Sequence, residues 1–215
     1  MSPRPYQLGR RQADIDEGRR RILDAASELL IEATHYTAFT VDAVAKRADV
    51  ARATVYYQFG SKTGLLEALC DSLADRGGMS GLAQAFTAND QDDALRLLVA
   101  AFARFWASDR LVMRRLRALA ALDPDVATVI AARDDRRRLA LKTLLDRRDD
   151  VREPALALRV AHMLTSFEAY DALLSPSQRP NDAVPILTDL IINAVRMPAP
   201  TRTMRRTRTS RAART

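Results

Sequence analysis

The side chains best suited to chemistry are concentrated in one short run of the sequence. Arg52, Thr54, Tyr56, Tyr57 and Lys62 are polar or aromatic, and regularly spaced apolar residues flank the run on both sides. Guanidinium, ammonium and hydroxyl groups at this density suit contacts with phosphate oxygens and base edges. The run therefore indicates a surface that binds nucleic acid.

The other reactive residue types argue against catalysis. The chain has one cysteine and two widely separated histidines, with no regular spacing of metal ligands and no glycine-rich phosphate loop. Cys70 lies on an apolar stripe, where a small buried residue is the ordinary interpretation. We therefore expect no disulfide, no metal, no cofactor and no enzymatic activity.

Two short amphipathic helices position the polar run. The first begins after Thr40, an N-cap residue, and carries its apolar residues at helical spacing: Val41, Val44, Ala45 and Ala48. A break at 49–51 precedes a second helix from Arg52 to Gln58, anchored inward by Val55 and Phe59. Two short helices joined by a tight turn, the second one polar outside, have the outline of a helix-turn-helix.

The rest of the chain predicts helices throughout and no strand-like alternation. An apolar stripe from Ile22 to Ala33 precedes the pair, and a helix capped by Ser61 follows it as far as Gly77. Later helix starts are indicated at Asp90, at Asp123-Pro124 and at Glu153-Pro154. The fold class is therefore all-α: an N-terminal three-helix helix-turn-helix domain followed by a C-terminal helical bundle.

The last two predicted helices, residues 155–174 and 183–197, are apolar around nearly their whole circumference. Such a helix must be covered on both sides, and a domain of this size can cover only one. We therefore expect a homodimer through these two helices.

The run from Thr40 to Lys62, TVDAVAKRADVARATVYYQFGSK, resembles the DNA-binding signature of the TetR family of transcriptional regulators. Its most specific part is TVYYQFGSK, residues 54–62. The resemblance extends back through residues 21–26 and forward through residues 65–69, about the first third of the chain. It implies a homodimeric repressor that binds a palindromic operator, with half-sites about one helical turn apart.

The resemblance also implies a role for each matching residue. Arg52 and Ala53 would meet base edges, Arg52 as a bidentate donor to guanine, and Lys46 is a weaker candidate for a backbone contact. The phosphate contacts would come from five side chains: Thr40, Thr54, Tyr56, Tyr57 and Lys62. Three positions depart from the usual pattern: His35 and Asp49 replace glycines, and Ala51 replaces a serine cap, which costs about 1 kcal/mol of helix stability.

The resemblance also implies an effector pocket inside the C-terminal helices. A ligand in this pocket would move the helix capped by Ser61 and, with it, the recognition helix, which is the one from Arg52 to Gln58 in each subunit. Its candidate lining is aromatic or apolar: Phe102, Phe105, Trp106, Met113, Met163, Phe167 and Tyr170, with His162 as a polar anchor. The same residues would also fill an ordinary helical core. The effector is expected to be a small, largely hydrophobic molecule.

These predictions divide the chain into a flexible basic arm (1–17), a DNA-binding domain (18–62), a ligand-binding and dimerisation domain (63–197) and a disordered Arg-rich tail (198–215). The tail holds six arginines and no acid, which leaves the body nearly neutral although the whole chain has a formal charge of +7. The tail would either contact DNA phosphates or act as a passive solubilising segment. No apolar stretch could span a bilayer and no signal core is visible, so a cytoplasmic location without membrane contact is expected.

Two alternatives to the ligand-responsive repressor stay open from the sequence. One is a DNA-binding regulator without a small-molecule effector, which would act through a partner protein or as a basic-tailed architectural protein. The other is an all-helical enzyme, for which no convergent set of catalytic groups is found.

Overall fold

The structure, a computed structural model, describes residues 5–32, 39–174 and 178–198, with side chains from Ile15 onward. These ranges contain helices and no strand, so the predicted all-α class is confirmed. The helices are α1 (Pro5–Glu32), α2 (Val41–Arg47), α3 (Arg52–Phe59), α4 (Lys62–Arg76), α5 (Ala83–Thr87), α6 (Gln91–Ser108), α7 (Arg110–Ala120), α8 (Pro124–Leu145), α9 (Pro154–Leu164), α10 (Phe167–Leu173) and α11 (Ala183–Arg196). Short 3-10 turns at Met79–Leu82 and Pro180–Asp182 precede α5 and α11.

The N-terminal unit is a three-helix arrangement of α1, α2 and α3. Helix α2 packs on α1, and α3 packs between α2 and α4. Its centre consists of fully buried aliphatic side chains, among them Ile22, Val44, Val55 and Leu65. Burying these side chains fixes the crossing of the two short helices, which have too few residues to be stable alone.

Helix α1 is longer than the sequence predicts. Residues 1–17 were expected to form a flexible basic arm, but the helix begins at Pro5, and only residues 1–4 lie outside the described range. Proline is tolerated in the first turn of a helix, and the Gln, Arg, Ala and Glu residues that follow have high helix propensity. The prediction failed because it required an apolar face, which a helix does not need in order to continue.

The C-terminal bundle is built around α6. This helix contacts α4, α5, α10 and α11, and its inner face buries Leu95, Leu98 and Phe102. Helices begin at all three predicted starts, and two of these starts have a capping hydrogen bond: the side chain of Asp90 accepts from the N–H of Asp93, and that of Asp123 accepts from the N–H groups of Asp125 and Val126. None of the described helices is long and apolar enough to cross a membrane.

The helix predicted over residues 155–174 is interrupted in the structure. Helix α9 ends at Leu164, and α10 begins at Phe167 under a new N-cap, because the Ser166 hydroxyl accepts from the N–H of Ala169. Trp106 Nε1 donates to the carbonyl of Thr165 at 3.1 Å, and Arg137 donates to the carbonyl of His162. These donors replace the helical N–H groups that the break removes, so the interruption leaves these two carbonyls satisfied.

Candidate functional site

The turn between α2 and α3 has the geometry of a helix-turn-helix. Asp49 is the one described non-glycine residue with a positive φ, at 53°, and the N–H of Val50 donates to the carbonyl of Ala45 at 3.0 Å. Aspartate tolerates the left-handed region better than most residues, which explains how it replaces the glycine expected there. His35 and the 36–38 segment of the preceding loop lie outside the described residues.

Helix α3 separates its anchors from its outward residues. Val55 and Phe59 are buried, whereas Ala53 and Tyr56 are exposed and Tyr57 is 86% exposed. An aromatic ring left in solvent contributes nothing to the core and is free to meet another molecule. Ala51 offers no side-chain cap at the start of the helix, as predicted.

Arg52 is exposed but already has two partners. Its Nε lies 3.0 Å from Asp42 Oδ1, and one of its terminal nitrogens donates to the Tyr56 hydroxyl at 3.2 Å. The hydrogen bond to Tyr56 and the attraction of Asp42 raise the pKa of Arg52 above its ordinary value. The guanidinium is therefore held at the N-terminal tip of α3, and it must exchange Asp42 for any base edge that it contacts.

The remaining predicted DNA contacts lie around this tip. Thr40 Oγ1 accepts from the N–H of Ala43 at 3.1 Å, which leaves its hydroxyl hydrogen available to a phosphate. Lys46 is exposed in the last turn of α2, and Thr54 is half-buried in the first turn of α3. All three lie in the helix-turn-helix, as a phosphate-gripping surface requires.

Lys62 lies in a different environment from the one predicted. Its ammonium forms an ion pair with Asp123 and lies 3.9 Å from Asp125, both at the start of α8, and its side chain is only 25% exposed. Burial acts to raise the pKa of Asp123, but the hydrogen bonds from Lys62 and from backbone N–H groups outweigh it and hold the pKa below its usual value. Lys62 thus ties α4 to α8 instead of standing free for a phosphate.

Contacts of Arg19 and Gly64 fix α3 against its neighbours. Arg19 donates to the carbonyl of Gln58 at 3.1 Å, and its guanidinium lies 4.4 Å from the centre of the Phe59 ring. At Gly64 a Cβ atom would overlap the carbonyl oxygen of Phe59, so only glycine permits α4 to start so close to the end of α3. The position of Arg19 against α3 could not be predicted from the sequence, because its partners are nearly forty residues away.

Arg47 provides a second tie to α1. Its guanidinium lies 3.0 Å from Glu28 and 2.8 Å from Glu32. The hydrogen bond that Arg47 donates to Glu28 is the largest influence on the pKa of Arg47, which is raised. The pairs are exposed, so they orient α2 more than they stabilise it.

A cavity of about 280 Å³ lies in the C-terminal bundle between α4, α6, α7 and α8. Four predicted pocket residues line it: Phe102, Phe105, Trp106 and Met113. The apolar wall is completed by residues of α4 and of the turn that follows it, including Cys70, Leu73, Met79 and Leu82. Burial raises the pKa of the Cys70 thiol to about 11.

The other four predicted pocket residues do not line this cavity. Met163 is 58% exposed, because it lies on the outer face of α9. Phe167 and Tyr170 are buried on α10, where Phe167 packs edge-on against Trp106 at 5.7 Å. His162 Nε2 lies 3.1 Å from the carbonyl of Asp134, and burial lowers its pKa.

One wall of the cavity is charged, although the sequence predicts a lining of aromatic and apolar residues with His162 as its polar residue. Arg117, Arg133, Arg136 and Arg137 line it together with Asp134. Asp134 Oδ1 lies 2.7 Å from Arg117 and 3.0 Å from Arg137. Burial acts to raise the pKa of Asp134, but the two arginines outweigh this effect and lower it.

The fold and the exposed helix-turn-helix define an all-helical DNA-binding protein. Residues 22–69 match the family model described as bacterial regulatory proteins of the tetR family. This part of the chain is similar to the DNA-binding region of those regulators, and it indicates a DNA-binding transcriptional regulator. No protein in the curated set matches the chain.

Solved structures share the fold over nearly their whole length. The TetR-family regulator PfmR from Thermus thermophilus is 25% identical, with 81% of this chain and 98% of that one covered and a TM-score of 0.59. NalD from Pseudomonas aeruginosa, described as the secondary repressor of the MexAB-OprM multidrug efflux pump, is 21% identical, with 85% and 97% covered and a TM-score of 0.62. The fatty acid degradation regulator FadR from Bacillus halodurans is 19% identical, with 83% and 96% covered and a TM-score of 0.62.

Proposed function

We propose that the chain is a ligand-released repressor: a homodimer that binds a palindromic operator and leaves it when a small, largely hydrophobic molecule occupies the cavity. One observation carries this proposal. Helix α4 begins directly beside the recognition helix, at Lys62 and Gly64, and its middle turns line the cavity through Cys70 and Leu73. A ligand that displaces the cavity end of α4 therefore also moves the recognition helix.

The packing of α4 makes this transmission efficient. Its first turn cannot slide along α3, because Gly64 already lies against the Phe59 carbonyl. The ion pair of Lys62 with Asp123 fixes the same turn to α8, which also supplies the charged wall of the cavity. Close-packed elements of this kind move as rigid bodies between discrete positions and do not deform gradually.

In this proposal the DNA contacts divide by role. Arg52 and Ala53, at the tip of α3, read base edges in the major groove, with Arg52 leaving Asp42 for a guanine. The phosphate contacts come from Thr40, Thr54, Tyr56 and Tyr57, with Lys46 on the backbone side. Lys62 joins them only after it has left its partner on α8.

The dimer is proposed to form through α9 and α11. Ile186 and Leu190 lie one turn apart on α11 with about half of their surface in solvent, and Met163 is exposed on the adjacent α9. The opposite face of α11 buries Leu187 and Ile191 in the bundle. An apolar patch that continues a core is the kind of surface that a second copy covers in a symmetric dimer.

The relatives support this proposal through their descriptions. NalD is described as a repressor and FadR as a regulator of fatty acid degradation, and both share the complete fold. A repressor that responds to a largely apolar molecule is consistent with both descriptions and with the aromatic wall of this cavity.

The first experiment is a fluorescence-anisotropy titration of the full chain on the intergenic DNA upstream of its own gene and on a scrambled copy, at two salt concentrations. We expect a preference of about a thousandfold for the native DNA. The same titration without residues 198–215 should keep the preference. Equal, salt-dependent binding of both DNAs that disappears with the tail would contradict sequence-specific regulation.

A second experiment tests ligand release. A thermal-shift screen of apolar metabolites identifies compounds that raise the Tm, because a molecule that binds only the folded state stabilises it by mass action. Such a compound should release operator DNA in the anisotropy assay. Stabilising compounds that leave the complex intact would favour the regulator that acts without an effector.

A further inference from the structure

The charged wall of the cavity carries more positive than negative charge. Three of its four arginines pair with three carboxylates: Asp134 lies between Arg117 and Arg137, Glu168 beside Arg117, and Asp71 beside Arg133. Arg136, on the rim, has no ion pair among the described residues. One positive charge therefore remains at the rim of the cavity, where it attracts an anion.

The buried hydrogen-bonding capacity of the same wall is not fully used. Arg137 is 4% exposed, and its terminal nitrogens donate to Asp134, to the His162 carbonyl and to the Thr165 hydroxyl. The Nε atoms of Arg137 and Arg117 are buried, and the described residues provide no acceptor for either of them. An unsatisfied buried donor on a charged group is costly, so an acceptor brought by a ligand is strongly favoured.

The opposite wall has the complementary character. The Trp106 ring stacks against Phe102 with ring centres 5.9 Å apart and is tilted against Phe105 at 4.6 Å, and Met113 completes this side. Arg117 lies over the Trp106 ring at 5.5 Å, where the charged and aromatic walls meet. The cavity volume of about 280 Å³ equals that of roughly nine water molecules. This space suits a small molecule with one polar end.

We propose that the effector is a small organic acid with an apolar body. Its carboxylate accepts hydrogen bonds from Arg117 and Arg137, and its body lies against Trp106 and Phe105. The inference rests on the proposed function only in treating the cavity as the effector site. An alcohol of the same skeleton would satisfy fewer donors, and an amine would meet the arginines with like charge.

The test compares acids with neutral and cationic analogues of the same skeleton. The full chain is titrated with octanoate, decanoate and phenylacetate, with the corresponding alcohols, and with octylamine. The fluorescence of Trp106, the one tryptophan of the chain, serves as the reporter. At least one acid should bind saturably, with an affinity roughly tenfold or more above that of its alcohol, as expected for a charge-assisted hydrogen bond in a buried site. Octylamine should not bind.

Three substitutions locate the carboxylate. Arg117→Gln and Arg137→Gln should each bring the affinity for the acid down to that for its alcohol. Arg137 also holds the end of α9, so its substitution could perturb the fold. Arg136 lies on the exposed rim and forms no ion pair with the described residues, so Arg136→Gln tests the charge without this effect. It should weaken acid binding by a smaller factor. Arg138→Gln, exposed on the same helix and outside the cavity, is the matched control and should bind like the wild type.

The outcomes distinguish this inference from the proposed function. Alcohols that bind as tightly as acids, acids that bind the Arg117→Gln variant unchanged, or the absence of saturable binding by every acid would each overturn the organic-acid effector. Acid binding that requires the arginines but leaves operator DNA bound would support the acid site and contradict release. The anisotropy assay described above, run at saturating acid, separates the two.

Discussion

Replacing Asp123 with asparagine should strengthen DNA binding. Asp123 has two tasks that use different oxygens: Oδ1 caps α8 by accepting from the N–H groups of Asp125 and Val126, and Oδ2 holds Lys62. Asparagine caps a helix as well as aspartate does and carries no charge. The Asp123→Asn substitution therefore keeps the helix start and frees Lys62 for a phosphate.

The size of the effect follows from the geometry of the pair. Both side chains are partly buried at the junction of α4 and α8. Breaking an exposed ion pair costs about 0.2–1 kcal/mol, and we take this range for the pair of Lys62 with Asp123. The affinity should then rise by a factor of about 1.4 to 5 per protomer, on operator and random DNA alike, because phosphates carry no sequence information. One more phosphate contact per protomer should steepen the salt dependence by about 0.9 in log–log slope.

The assay is the anisotropy titration over a range of salt concentrations, with two further proteins for comparison. Asp135→Asn on the exposed face of α8 changes the net charge equally and should leave the affinity nearly unchanged. In a Lys62→Met background, Asp123→Asn should have no effect. Unchanged or weaker binding by Asp123→Asn, or a gain that persists without Lys62, would refute the view that the ion pair withholds this lysine from DNA.

Four other predictions concern single residues. Arg52→Ala should lower the preference for operator over random DNA by about 1–3 kcal/mol per half-site while leaving non-specific affinity nearly intact, measured by competition anisotropy. Gly64→Ala should destabilise the fold by about 1–3 kcal/mol in urea unfolding, since its Cβ would overlap the Phe59 carbonyl; an unchanged midpoint would contradict that packing. Cys70, whose pKa is raised to about 11, should resist thiol reagents at pH 8 until the protein unfolds, and rapid native labelling would argue against its burial. Asp150→Asn should destabilise by up to about 1 kcal/mol at pH 7, because hydrogen bonds from Arg148 lower the pKa of Asp150 to about 2; the difference from wild type should shrink as the pH falls from about 4 toward 2 in melting experiments.

The features predicted well from sequence are those encoded locally. Thr40, Ser61, Asp90 and Asp123 each combine a capping side chain with an apolar stripe just downstream, and each caps its helix in the structure. The positive φ at Asp49 could be predicted from the sequence for the same reason, because a turn of three residues allows few backbone conformations.

What could not be predicted depends on partners far away in sequence. Lys62 was assigned to a phosphate because nothing near it reveals Asp123, sixty-one residues later. The arginines of α8 look like a solvated face until α7 and α6 bring Arg117 and Trp106 against them. Only the interruption after Leu164 had a local signal: Ser166 followed by the acidic Glu168 is a good helix start, which the continuous apolar pattern concealed.

The hydrogen bonds that close the end of α9 give the cavity and the dimer a shared constraint. Trp106 and Arg137 line the cavity, and the same two side chains satisfy the carbonyls of Thr165 and His162. A ligand that moves either side chain into the cavity breaks its hydrogen bond to one of these carbonyls at the end of α9, a helix of the proposed dimer interface. That carbonyl then needs another donor. Binding in the cavity and association of two copies are then thermodynamically linked, and linkage is reciprocal. Any factor by which a ligand weakens or tightens the dimer must equal the factor by which dimerisation alters the affinity for that ligand. The concentration of the protein itself would thereby set how sensitively it responds.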